Sequence, residues 1–122
     1  MNPETPVAWR GLRLDVIGGL RTLATLGPDE PERDPEFTAA VHALVDDTRW
    51  DHQDPRGYIG LVLVDEAEAG EAREVVAALV KVLDDLGPAA DYDDYLRHPG
   101  WPRVTTTSAA LLNRMVGQAR ES

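Results

Sequence analysis

Three histidines, His42, His52 and His98, are the side chains of this 122-residue sequence best suited to ligate a metal or pass a proton near neutral pH. None stands in an H-E-x-x-H or H-x-H pair, the spacing that brings two imidazoles to one zinc ion. His52 lies between Asp51 and Asp54, and together with Asp46 and Asp47 these carboxylates could supply oxygen ligands to a hard cation. The run lacks the alternating ligands and central glycine of an EF-hand loop, and helix capping or plain solvation accounts for the same acids. Asp84-Asp85 and Asp93-Asp94 are adjacent pairs. Neighbours on a helix point about 100° apart and do not converge on one substrate atom, so acid–base catalysis by either pair is not expected. Ser108 and Ser122 are the two serines, and neither sits in a nucleophile elbow. Gly57-x-x-Gly60 is too short for a phosphate-binding loop or a dinucleotide fingerprint. The chain is therefore expected not to be an enzyme and to need no metal and no organic cofactor.

Aromatic residues set among acids remain: Trp50 beside Asp51, Tyr58 after Gly57, Tyr92 and Tyr95 around Asp93-Asp94, and Trp101 beyond them. Tyr and Trp bury much area with few torsions to freeze, and nearby acids select a basic partner. Asp46, Asp47, Trp50, Asp51 and Asp54 in one loop, with Asp91, Tyr92, Asp93 and Asp94 in another, are the candidate partner-binding residues. Trp101 and Tyr95 are read instead as core packing.

These loops must be held by helices. Trp9, Leu12, Val16, Leu20 and Leu23 recur at three- and four-residue steps, giving an amphipathic helix that stops before Gly27-Pro28. Gly18-Gly19 inside it implies a bend or a neighbour packed against bare backbone. Asp34-Pro35-Glu36 supplies an N-cap, a proline at the first helical position and an acid in the first turn of a helix over 35–47. Residues 57–64 fit either a strand or a short buried helix. Asp65 with Glu68 has the spacing of a capping box, and the apolar stripe that follows ends at Gly87-Pro88. A short helix over 91–96 and a last one over 102–120 complete the pattern, the latter weakened at its start by Thr105-Thr106-Thr107-Ser108. Residues 1–6 read as a flexible lead and 7–120 as one helical domain. The expected architecture is a mainly α bundle of four or five helices. The alternative is α+β, with 41–45 and 59–64 paired as a hairpin.

Composition narrows the function further. Twenty-two acids against twelve lysines and arginines give a net charge of -10, which disfavours nucleic acid and anionic membranes. Residues 65–74 hold five acids and one base, 84–94 hold five acids and no base, and 97–122 hold four arginines and one acid. Either the basic end docks on the acidic middle, or the acids form a face for a cationic partner. The absence of cysteine excludes a disulfide scaffold and a thiol nucleophile. With no signal peptide visible and no long apolar run, a cytoplasmic location is expected. The apolar side chains of 59–64 allow a weak homodimer.

Three stretches occur together: Val41-His42-Ala43-Leu44-Val45-Asp46-Asp47-Thr48, then Ile59-Gly60-x-x-Leu63 followed by Asp65-Glu66-Ala67-Glu68-Ala69, then Tyr95-Leu96-x-x-Pro99-x-Trp101. Their order and spacing resemble a family of small acidic proteins of unknown function common in actinobacteria, which itself looks like some bacterial immunity proteins. The resemblance covers about residues 10–118 and implies no catalytic residues. The expected function is an acidic protein-binding module, an immunity-type inhibitor of a basic toxin or other basic bacterial protein. The rival is a small-molecule binder or minor metabolic enzyme with a pocket near His42, His52 and Trp101.

Overall fold

A computed structural model describes residues 7–121, and the side chains of 118–121 are outside the description. The expected lead at 1–6 lies outside the described residues. Five α-helices follow in order: α1 Arg10–Thr25, α2 Asp34–Val41, α3 Glu66–Leu86, α4 Tyr92–Arg97 and α5 Trp101–Glu121. No named strand occurs among the described residues. This is the mainly α bundle, and the hairpin alternative falls.

The apolar stripe of α1 buries Val16, Leu20 and Leu23 completely. Trp9 departs from that stripe: it precedes the helix, stays 48% exposed and meets Tyr58 edge-on, with ring centroids 6.2 Å apart. Gly19 resolves the glycine pair, because a Cβ there would stand 2.5 Å from Leu44 Cδ2, whereas at Gly18 it would meet open space. A short 3₁₀ turn, Pro31–Arg33, runs straight into α2. Asp34 consequently lies inside the first helical turn and not at the N-cap, and Arg33 there makes no side-chain capping bond. Past Val41 the helix widens into a π turn, His42–Asp46, closed by the Asp47 N–H donating to His42 O at 2.8 Å. Thr48 Oγ1 then donates back to Leu44 O, and Arg49 turns the chain away with φ 61.

Residues 59–64 form neither strand nor helix. Pro55–Tyr58 is a 3₁₀ turn, after which Tyr58 O accepts from the N–H groups of Leu61, Val62 and Leu63. The outward edge is taken by the start of the chain, where Ala8 N–H donates to Gly60 O and Trp9 N–H to Leu61 O. Val62 and Leu63 are fully buried, while Ile59, Leu61 and Val64 stay partly exposed.

Asp65 Oδ1 accepts from the Glu68 N–H at 2.9 Å and starts α3, as its spacing implies. The Glu68 carboxylate also accepts from Val64 N–H at 2.9 Å, just ahead of the cap. Ala69, Ala72, Val75, Leu79 and Val82 bury one face of α3, and Gly87 at φ 77 ends it in the left-handed conformation that glycine tolerates. Both α1 and α3 pack along α5, which contributes Val104, Leu111 and Met115 to the core. The threonine run lies within α5 despite its weak propensity, and Thr107 Oγ1 donates back to Arg103 O at 2.7 Å. Phe37 of α2 centres an aromatic cluster, stacked on Tyr95 at 5.3 Å, edge-on to Tyr92 at 6.1 Å and tilted against Trp101 at 5.8 Å.

Candidate functional site

The structure uses most of the acids internally. On α3, Glu71 receives a two-pronged bond from Arg114 at 2.7 and 3.2 Å, and Glu74 pairs with Arg103. The basic end of the chain therefore docks on the acidic middle. Deeper, Arg13 of α1 grips Glu68 through two hydrogen bonds of 2.8 and 2.9 Å and also donates to Val62 O. Arg13 is 5% exposed and Glu68 not at all. This buried latch ties α1, α3 and the irregular 59–64 segment together.

The two candidate loops divide between structural and free residues. In the first, Asp54 Oδ1 accepts from Arg56 N–H and starts the 3₁₀ turn, and Asp46 Oδ2 lies 2.6 Å from His42 Nδ1. Asp51 stands 3.3 Å from the exposed His52 ring. Asp47 is exposed, and its carboxylate makes no hydrogen bond or ion pair with the described residues. Trp50 is a core residue, 4% exposed, edge-on to Tyr58 with centroids 5.8 Å apart. Its indole cannot act as an exposed anchor. It is buried because the loop folds down onto α3, a long-range event that local polarity does not reveal.

The second loop is more fully committed. Asp94 Oδ2 accepts from Asp91 N–H at 3.0 Å, and Asp93 Oδ1 accepts from Asp29 N–H at 2.9 Å. Tyr92 is buried against Phe37, and its hydroxyl donates to Gly27 O at 2.7 Å. Burial, with Glu30 nearby, pushes its phenol above the usual value and keeps that donor protonated. These residues fasten α4 to the 27–30 turn.

Three grooves among the described residues can be compared, and none of these three is lined by residues of both loops. One of about 250 Å³ runs over α3 beside Trp50, Asp51 and Arg73, and another of about 330 Å³ lies between Pro31, Asp34 and residues 91–94. The third, about 590 Å³, lies between α1 and the α2–π turn segment. Asp47 lines it with Asp15 and Glu36, and of its small residues Gly19, Ala40 and Ala43 are buried while Gly18 and Ala39 are exposed. His42 lines it too, but His52 does not, and Trp101 is buried in the aromatic cluster. The three residues proposed to surround a small-molecule pocket thus line no common groove among these three. Among the described residues, no group of three or more His, Cys, Asp or Glu side chains is placed to hold a metal ion. No helix among them is long and apolar enough to cross a membrane.

Asp15 and Leu14 are the groove residues that sequence reasoning missed. Leu14 is 67% exposed, and Asp15 has no partner among the described residues. The signal for Leu14 was present: it falls outside the Leu12, Val16, Leu20 and Leu23 stripe, yet it is large and apolar.

A family model described as a domain of unknown function (DUF7945) matches residues 7–122. The chain belongs to the DUF7945 family. No curated protein matches it significantly. No solved structure does so either. The match covers the whole described fold, so the bundle and its α1/α2 groove lie within the family's boundaries.

Proposed function

We propose that this member of the DUF7945 family is a non-catalytic cytoplasmic protein that binds a basic protein partner, in the manner of an immunity-type inhibitor occupying a basic toxin. Carrying the reading is the fate of the acids: Asp15 and Asp47 are among those whose carboxylates make no hydrogen bond or ion pair with the described residues, and the two line one groove. Carboxylates left in water at the edge of an apolar trough speed the encounter with a cationic partner and discriminate against acidic ones. The candidate residues of the first loop contribute through Asp46, Asp47 and Asp51; Trp50, Asp54, Tyr92, Asp93 and Asp94 support the fold that presents them. Affinity capture from a lysate of the native cell tests this. A basic protein retained at low salt, and lost when Asp46, Asp47 and Asp51 are changed to Asn, is the expected result. Equal capture by the altered protein would contradict the assignment of the loop, and failure to capture any basic protein at low salt would contradict the binding role.

A further inference from the structure

One of the three histidines is built into the fold through both of its ring nitrogens. The His98 side chain is 13% exposed, against 60% for His42 and 84% for His52. Its Nδ1 accepts from Gly100 N–H at 2.8 Å, so that nitrogen carries a lone pair and no proton. The proton of the neutral ring therefore sits on Nε2, where Asp85 Oδ2 of α3 accepts it at 3.1 Å. The backbone of the same residue completes the corner: His98 N–H donates to Tyr95 O at the end of α4, and His98 O accepts from the N–H of Trp101, the first residue of α5. Gly100 is fitted to this ring, because a Cβ there would lie 3.1 Å from Nδ1 and 3.4 Å from Val82 Cγ2 of α3. One imidazole thus joins α3 to the corner between α4 and α5.

A second proton can enter this ring only at Nδ1. There it would face the Gly100 N–H, donor against donor, and the 2.8 Å bond must open. Asp85 acts on the opposite nitrogen and attracts the imidazolium, so the ring stays on α3 while the turn leaves it. Lys81, 3.4 Å from the same Asp85 oxygen, is the other charge that α3 brings to this contact. From α4 and α5 no charged side chain of the described residues bonds to the ring: Asp91 and Asp94 cap α4, Asp93 and Arg97 hold Asp29, and Arg103 holds Glu74. We propose that His98 is a proton-operated clamp, which fastens the start of α5 to α3 when neutral and releases Gly100 when it becomes the imidazolium. The released corner carries Trp101, 4% exposed and packed on Phe37 with centroids 5.8 Å apart, so acid loosens the aromatic cluster from that side. Neither His42 nor His52 can act in this way, since among the described residues neither ring accepts from a backbone N–H.

The test is a pH titration of the ¹⁵N-labelled full chain by NMR from about pH 8 to about pH 5, the span over which imidazoles change charge. At the upper end, ¹H–¹⁵N correlations within the ring should place the His98 proton on Nε2. As that ring titrates, the Gly100 amide and the Trp101 indole N–H should shift with the same midpoint. Protection of the Gly100 amide from hydrogen exchange, corrected for the intrinsic pH dependence of exchange, should fall at least about threefold, as the loss of one hydrogen bond requires. His98→Asn supplies a side-chain oxygen that accepts from the N–H two residues on and does not titrate, so Gly100 should stay protected across the range. His98→Ala offers no acceptor, and Gly100 should be unprotected at both ends. A proton on Nδ1 at the upper end, Gly100 and Trp101 signals that ignore the His98 titration, or a Gly100 response that persists in His98→Asn would each overturn the clamp.

Discussion

Replacing Arg13 by Met should be among the most damaging single changes outside the apolar core. Met matches the aliphatic stem of Arg without its guanidinium, so the stem's packing along α1 is kept while three hydrogen bonds vanish, two to Glu68 and one to Val62 O. The Glu68 carboxylate is then left fully buried, with Val64 N–H still donating to it at 2.9 Å. Stranding one charge of a buried pair costs about 3–5 kcal/mol. Against a total of about 5–15 kcal/mol for a domain of this kind, that is a large fraction of the stability. Urea unfolding followed by circular dichroism measures it directly. Removing both charges, as Arg13→Met with Glu68→Leu, takes away the desolvation along with the attraction, so the double variant should be more stable than Arg13→Met alone. The resulting cycle should show a coupling of at least about 2 kcal/mol. A loss below about 1 kcal/mol for Arg13→Met, or a double variant whose loss equals the sum of the singles, would show that the latch does not hold α1 to α3.

Gly18→Ala should stabilise by about 0.5–1 kcal/mol, since the site is open, whereas Gly19→Ala should destabilise because Leu44 must move aside; paired thermal unfolding curves separate them. Trp50→Ala should cost about 3–5 kcal/mol in unfolding experiments, the loss expected of a core residue. Partial desolvation lifts the Asp85 carboxyl, but the hydrogen bond to His98 and the Lys81 ammonium outweigh it and hold the group below the ordinary carboxylate value. A folded value below the unfolded one means the contribution is present above the unfolded value and is lost as pH falls through the folded one. Asp85→Asn should therefore flatten the fall in stability below about pH 4 in an acid titration of unfolding.

The helices were legible because their signals are local. Asp65 as the cap of α3 and Gly87-Pro88 as its stop need only a few neighbouring residues, and both stand as the spacing implies. Residues 59–64 were ambiguous for a physical reason: their backbone partners are Ala8 and Trp9, some fifty residues away, and no periodicity in the segment itself encodes that pairing. Trp50 shows the same limit. It lies in a polar loop by composition and in the core by packing. Among the acids, the Asp54 cap carries a local signal, a proline directly after it, while the Asp93 bond to Asp29 and the Arg13–Glu68 latch join residues 64 and 55 apart in sequence. Asp15 and Asp47 became a site only when α1 and the π turn closed on the same groove.

The salt dependence of binding tests the central claim most directly. With the basic partner captured from lysate, the affinity of the full chain is measured across a range of salt concentrations and compared with that of the Asp15→Asn, Asp47→Asn variant. If the free rim carboxylates hold the partner, the affinity of the unaltered chain falls steeply with salt, and the variant is both weaker at low salt and nearly flat. A variant that matches the unaltered chain in affinity and slope at every salt concentration would contradict it.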